Sequence, residues 1–258
     1  MSKDNLSIRQ KKFYEERSRT YLPRRTYTII RLDGRSFKNY TKGLKKPFDV
    51  GLIEDMDETA KYLCANIQGA KLAFVQSDEI TIVLTDFDSI TTDAWFDGEV
   101  QKMTSISASM TTEKFNQLRI MRFFNEKPIN EYDGLMISKI ISDFKMAQFD
   151  SRAFTIPFKD EVLNNLQWRQ QDTVRNSISS VAQSLYSAKE LNGKNQNDMQ
   201  ELCYQKGINW NDLPVKQKRG RLIVKQEFDV NGAKRNKWVS TDPAIFSQDK
   251  ESINKILI

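Results

Sequence analysis

Leu72 to Val75 and Ile80 to Leu84 are two apolar, strand-forming runs separated only by the polar tip Gln76-Ser77-Asp78-Glu79. A chain with that pattern folds back on itself as a β-hairpin. A further run, Tyr27 to Leu32, is apolar or β-branched apart from Arg31 and stops at Asp33-Gly34. Each strand therefore ends in a carboxylate. If the two strands are neighbours in one sheet, Asp33 and Asp78 face each other at its edge. Mg²⁺ takes one or two carboxylates and keeps places for phosphate oxygens and water, so such a pair suits it. Strand tips are also stiff enough to hold two ions at the spacing phosphoryl chemistry needs. Either aspartate alone reads as a turn or capping residue. The two together, with Gly34 letting its carbonyl approach an ion, favour a metal. Glu79 follows Asp78, and its role stays open between hydrogen bonding, proton abstraction and ligation.

The remaining pattern places these strands in a fold. Leu52, Ile53, Met56, Ala60, Leu63, Cys64 and Ile67 recur at helical spacing, with Gly69 where a C-terminal cap belongs. A second helix is predicted over about 97–117, with Val100, Met103 and Met110 on one side and a run of small residues, Ser105 to Ser109, able to pack closely on a sheet. Phe149 to Pro157 reads as a fourth strand. The order β-α-β-β-α-β is that of an α+β, ferredoxin-like sheet with two helices on one face, and it puts both carboxylate tips on central strands. Beyond it, Glu161 to Ser187 forms a long helix whose apolar stripe is Val162, Leu166, Val174, Ile178, Val181 and Leu185. Arg169, Asp172, Thr173, Asn176 and Ser180 make a polar stripe, which on spacing alone is a solvated face. A short helix is expected near 197–205. A hairpin is expected between 222–225 and 237–239 around Asn231-Gly232, with a connection longer than minimal. A polar, basic helix is expected over 7–20. The division drawn from this is a catalytic domain over 1–157 and a helical and hairpin region over 158–258 docked on it.

The 258 residues contain no histidine, which excludes Ser-His-Asp triads and His-ligated zinc. Net charge is +6, and residues 1–50 carry 14 Lys/Arg against 5 Asp/Glu, residues 51–100 carry 2 against 11, and residues 201–240 carry 9 against 4. An acidic middle between basic flanks suits a cation centre bordered by surfaces for a polyanion. Cys64 and Cys203 read as buried thiols of a reducing, cytoplasmic compartment. No apolar leader or membrane-length run is expected to tie the chain to a membrane. Gly34 to Lys38 could set backbone N–H groups and Arg35 against phosphates, although it is not a Walker A loop. Lys46 and Lys102 are candidate phosphate clamps.

Arg31-Leu32-Asp33-Gly34-Arg35-Ser36-Phe37, Lys46-Pro47-Phe48-Asp49, Gln76-Ser77-Asp78-Glu79, Phe149-Asp150-Ser151-Arg152 and Trp168-Arg169-Gln170-Gln171-Asp172 together resemble the histidine-tRNA guanylyltransferase family, which includes 3′-to-5′ RNA polymerases. The resemblance runs over about 10–225 and extends to Asn209-Trp210-Asn211 and Lys218-Arg219-Gly220. It implies a polymerase-palm domain that adds nucleotides to the 5′ end of tRNA. ATP activates a 5′-monophosphate, the 3′-hydroxyl of GTP attacks it, and a terminal pyrophosphate is removed. It implies two Mg²⁺ held by Asp33, Asp78 and the Gly34 carbonyl, with Glu79 in the catalytic set. Asp33, Gly34, Arg35, Ser36, Phe37, Lys38, Lys46, Ser77, Asp78 and Lys102 would bind the nucleotide. Arg169, Asp172, Asn176, Lys194 and Arg219 become a candidate tRNA-facing set, and a homotetramer is expected.

One stretch departs from the family. Eukaryotic members carry His-Ile-Asn-Asn-Leu-Tyr-Asn-Thr where this chain has Val174-Arg175-Asn176-Ser177-Ile178-Ser179-Ser180-Val181. Only Asn176 is kept. The chain thus resembles the bacterial and archaeal-type members, which favour templated repair of 5′-truncated tRNA. Two other readings share parts of the pattern, a palm-type nucleotide cyclase and a non-catalytic RNA-binding protein.

Overall fold

Residues 5–126 and 133–257 are described by the computed structural model; the charged N-terminus Met1 to Asp4 lies outside them. The elements run α1 (Leu6–Phe13), β1 (Tyr27–Gly34), α2 (Phe37–Tyr40), α3 (Val50–Asn66), β2 (Ala70–Gln76), β3 (Glu79–Leu84), α4 (Val100–Glu126), α5 (Gly134–Asp143), β4 (Phe149–Ile156) and α6 (Lys159–Leu185). They continue with α7 (Ala188–Leu191), α8 (Gln196–Gln205), α9 (Val215–Lys218), β5 (Arg221–Val230), β6 (Ala233–Thr241) and α10 (Glu251–Asn254).

All strand pairs are antiparallel, in the order β4-β1-β3-β2-β5-β6. The first four strands have the ferredoxin-like order that the element pattern implies. The hairpin β2–β3 is central, and its side chains are buried on both sides of the sheet. Val75, Ile80 and Ile82 join Ile30 and Leu32 under α3 and α4, while Leu72, Phe74 and Val83 join Ile29 under α6 and the C-terminal segment. Alternation along a strand divides the residues this way. Each fully buried Leu, Ile or Phe contributes roughly 1.5–3 kcal/mol relative to exposure.

Local chemistry fixes where the helices begin and end. Asp49 caps α3, its carboxylate accepting from Leu52 N at 2.7 Å. After α3, Gly69 has φ +82°, and a Cβ there would collide with the Thr85 carbonyl oxygen. Along α4 the buried positions are Met103, Ser107, Thr111, Phe115 and Asn116. Ser107 is small enough to bring the helix onto β4, where its hydroxyl meets that of Ser151 at 2.7 Å.

Several boundaries differ from expectation. The first helix ends at Phe13 and is followed by a 3₁₀ turn over Glu15–Ser18, and α4 continues to Glu126. The last hairpin has a minimal two-residue connection, Asn231-Gly232, because both residues take the positive φ that a tight primed turn requires (54° and 82°). β5 pairs with β2 only over Arg221 to Val224. The rest of β5 and β6 runs on as a two-stranded ribbon. The sheet thereby continues beyond residue 157.

A buried ion pair joins α3 to that extension. Arg221 Nε donates to Asp57 at 2.6 Å, and Ser240 Oγ donates to the same carboxylate at 2.7 Å. Removing one member of a buried pair leaves an uncompensated charge. Asp57→Ala is therefore expected to cost about 3–5 kcal/mol, read as a lower urea midpoint with an unchanged m-value. A loss below about 1 kcal/mol, the size typical of an exposed pair, would remove Asp57 from the fold's supports.

Candidate active site

Asp33 lies opposite Glu79 on β3 and opposite Asp150 on β4. Directly opposed residues of an antiparallel pair share a face, so three carboxylates form a row across three strands on the side that α6 covers. Asp78 sits beside this row in the β2–β3 turn, where Ser77 adopts φ +44°. A Cβ added to Gly34 would fall 2.9 Å from Asp78 Oδ2 and also strike Phe37. Only glycine lets the end of β1 come this close to the Asp78 carboxylate.

Glu79 is the neutralised member of the group. Arg169, on α6, donates through Nε to one carboxylate oxygen at 2.8 Å and through one terminal nitrogen to the other at 2.7 Å. Gln76 and Thr81 donate to the first oxygen at 3.2 and 3.3 Å. The Arg169 guanidinium also reaches Asp172 at 3.0 Å, and Asp172 in turn accepts from Arg175 at 3.0 Å. Thr173 donates to the Gln76 side chain. Trp168 takes two guanidinium groups against its ring, Arg169 at 4.5 Å and Arg31 at 5.7 Å from the centroid.

Asp33 and Asp78 have no such cation: among the described residues no ion pair reaches either. Burial pushes the Asp33 carboxyl up, and the charges of Glu79 and Asp150 add to this against Arg152 and Arg31. Asp78 is pushed up to about 6, chiefly by burial, against hydrogen bonds from Ser77 and its own backbone, with Asp33 and Glu79 raising it further. Two crowded carboxylates without a counter-charge are a donor set for a divalent cation. Among the described residues no group of three or more Asp, Glu, Cys or His could hold a metal. The side-chain donors at hand are Asp33 and Asp78, a small set that fits the preference of Mg²⁺ for few protein ligands.

The other candidate residues divide. Arg35 and Ser36 are exposed directly after Gly34, and Arg35 donates to the Gln148 side chain at 2.7 Å. Phe37 is buried among Tyr40, Phe115 and Phe149, so its side chain belongs to the core. Lys38 and Lys46 are exposed on the segment from Gly34 to α3. Lys102 is not brought to the carboxylates. α4 runs antiparallel to β4, with Ser107 beside Ser151 and Thr112 beside Phe149, so the first turn of α4 points away from the carboxylate edge and its Lys102 lies 3.5 Å from Glu99. On α6, Arg169 and Thr173 are buried, Asp172 is half-buried and Asn176 is exposed. Lys194 is exposed between α7 and α8, and Arg219 lines a separate cavity with Gln171, Arg175 and Trp210.

Sequence reasoning missed Asp150 as a site residue. The signal was available, because in a 4-1-3-2 sheet the start of β4 lies beside the end of β1. It also assigned Arg169 no partner, and nothing local reveals a contact made across 90 positions of sequence.

A ferredoxin-like sheet with an aspartate pair at its central strand tips defines a palm-type domain. The chain belongs to the tRNA(His) guanylyltransferase family, whose model matches residues 8–157. Among solved structures it is similar to a bacterial tRNA(His) guanylyltransferase-like protein in complex with ATP, at 43% identity and a TM-score of 0.83, covering 98% of this chain and 99% of that one. A bacterial protein of the same description in complex with GTP matches at 42% identity and a TM-score of 0.79, with the same 98% and 99% coverage. An uncharacterised protein of Acanthamoeba polyphaga mimivirus is 31% identical over 234 residues, 86% of this chain and 77% of the relative.

An aspartic acid whose folded pKa lies above its unfolded value binds its proton more tightly when folded. Metal-free protein should therefore gain stability from Asp78 as pH falls from 7 through about 6, and lose it again as pH rises. Asp78→Asn is expected to raise the melting temperature of metal-free protein at pH 7 by several degrees, corresponding to up to about 3 kcal/mol. Mg²⁺ should then stabilise the wild type more than the variant. A variant that melts at or below the wild type at pH 7 would contradict this. Arg169→Ala should cost about 3–5 kcal/mol by leaving Glu79 unpaired, and Glu79→Gln in the same chain should recover much of it. Additive losses in thermal denaturation would show that the two side chains are not coupled.

Proposed function

We propose that this protein is a nucleotidyltransferase that adds nucleotides to the 5′ end of tRNA in the 3′-to-5′ direction, repairing truncated tRNA against its 3′ strand. The observation that carries the reading is the Asp33 and Asp78 pair at the edge of the family's palm sheet, joined there by Gly34. A bacterial relative was solved with ATP and another with GTP, and both nucleotides are assigned here as substrates, GTP being the first one added.

Asp33, Asp78 and the Gly34 carbonyl would hold two Mg²⁺. Bound there, the ions lower the pKa of an attacking hydroxyl and offset charge on phosphate oxygens. The chain's own groups supply position and field. Arg169 holds Glu79 in one orientation and occupies both its oxygens, which leaves the two aspartates as the donors free for an ion. The exposed turn Gly34 to Lys38, Ser77 and Lys46 offer N–H, hydroxyl and ammonium groups to a triphosphate. Arg31 and Arg152, opposed across β1 and β4 one row behind Asp33, are two further cations available to a phosphorylated 5′ end.

Support for repair, over addition of one G to intact histidine tRNA, comes from the 174–181 run. Val174 is half-buried in the cluster of Ile178, Leu191, Cys203 and Trp210, where eukaryotic members carry histidine. Asn176, Arg175, Lys194 and Arg219 in the region 158–258 are assigned to the tRNA side. The reading extends to a cytoplasmic homotetramer, and the exposed Leu135, Met136 and Ile141 of α5 are side chains that an assembly would cover.

The test uses 5′-³²P-monophosphorylated tRNA lacking its first nucleotide, beside full-length histidine tRNA, with Mg²⁺, ATP and all four nucleoside triphosphates. Wild type is expected to extend the truncated RNA until pairing is restored, with Asp78→Ala lowering the rate at least a hundredfold, the scale of losing a metal-centred charge. Addition of one G to the full-length tRNA alone would replace repair with the guanylyltransferase reaction. No extension of either RNA would overturn the reading.

A further inference from the structure

Beside the carboxylate row, on the far side of β4, a cleft of about 510 Å³ opens between α4 and the start of that strand. Its walls are Arg35, Ser109, Thr112, Glu113, Gln148 and Asp150, over a floor that includes Phe149. The volume is within the roughly 300–1,000 Å³ of small-molecule sites. The cleft is not the triphosphate-facing turn itself, but Arg35 belongs to both, since it follows Gly34 directly and lines the cleft's mouth.

The lining specifies which part of a ligand fits. Ser109 and Glu113 are one turn apart on α4, both exposed, with neither the Ser109 hydroxyl nor the Glu113 carboxylate engaged in a hydrogen bond or ion pair within the described chain. Thr112 is occupied by the Phe149 N–H at 3.2 Å, and Gln148 accepts from Arg35 with its amide N–H groups left over. Asp150 lines the cleft from the strand edge, its carboxylate lying with Asp33 on the other side of the sheet, 3.7 Å from Arg152. The unengaged Glu113 carboxylate repels a phosphate but accepts well from a vicinal diol or an exocyclic amine. Arg35, at the mouth, has the opposite preference. A ligand with a neutral, donor-rich body and an anionic end would lie with its body between Ser109, Glu113 and Gln148 and its anion toward Arg35 and the strand tip.

We infer that the α4–β4 cleft is a second-substrate subsite that binds the nucleoside of a nucleoside 5′-phosphate, with Glu113 accepting from the ribose hydroxyls and the phosphate directed past Arg35 to Asp33. This rests on the nucleotidyltransferase reading and adds to it. A transfer reaction must bring two nucleotides to one metal edge, and the turn at Gly34 to Lys38 and Ser77 accounts for only one. The nucleoside could be that of ATP or that of the RNA's 5′ terminus.

Calorimetric titration with AMP and with 2′,3′-dideoxy-AMP tests the cleft without requiring turnover. Wild type should bind AMP at least about tenfold more tightly than the dideoxy compound, the effect of losing hydrogen bonds to a charged acceptor. Glu113→Gln should shrink that ratio, and Ser109→Trp, on an exposed helical position, should block AMP by filling the space. Equal affinity of wild type for both compounds, or AMP binding unchanged in both variants, would overturn the inference. The source is then read from kinetics with truncated tRNA. If Ser109→Trp raises KM for ATP with 5′-monophosphate RNA but leaves extension of 5′-triphosphate RNA unaltered, the cleft holds the nucleoside of ATP. If it raises KM for both RNAs, the cleft holds the RNA terminus. Wild type that discriminates AMP from its dideoxy analogue yet extends neither RNA would sustain the cleft and sink the transfer reading alone.

Discussion

The bidentate pair between Arg169 and Glu79 is the contact on which the arrangement of this molecule depends. It is made between the long helix on one face of the sheet and the tip of a central strand, and it is buried. Such a pair is rigid because a planar guanidinium and a carboxylate meet in one geometry. With Glu79 paired, the remaining negative charge at the edge falls on Asp33, Asp78 and Asp150, and among the described residues no ion pair reaches Asp33 or Asp78. The site therefore keeps an electrostatic strain that a bound ion would relieve. Proteins commonly tolerate such strain at sites of function.

Registry carries this effect from sequence to site. Because β1 pairs with both β3 and β4, one row of residues across the three strands reads Asp150, Asp33, Glu79, and the row behind it reads Arg152, Arg31, Thr81. A slip of one residue in either pairing would send Asp33 to the opposite face. The burial of Ile29 and Ile30 on opposite sides of the sheet makes that slip costly. The apolar core of the hairpin and the charge pattern of the edge are thus parts of one constraint.

Much of this was legible in the chain itself. The runs ending at Asp33 and Asp78, the helix punctuated by Gly69 and the turn at Asn231-Gly232 are local signals, and local signals survive folding. The 4-1-3-2 order followed from the sequence of elements. What stayed hidden is non-local. The stripe containing Arg169 and Thr173 reads as solvated because its polar partners, Glu79 and Gln76, are on a distant hairpin. Lys102 reads as a phosphate clamp until the direction of α4 along β4 is known. Phe37, inside a motif that suggests ligand binding, is a core aromatic whose neighbours Phe115 and Phe149 come from α4 and β4.

The ribbon formed by β5 and β6 behaves mechanically unlike the sheet it grows from. Its root is gripped by β2, by Asp57 and by Trp238 packed against the core, whereas beyond Trp238 the paired strands run on as a two-stranded ribbon, and such a ribbon is compliant. Bending therefore concentrates just beyond Trp238, and a small rotation there becomes a large sweep at Asn231-Gly232. Lys234, Arg235 and Lys237 ride on that sweep. The molecule carries a cantilever, stiff at the anchor and yielding along its span, with its positive charge set on the yielding part.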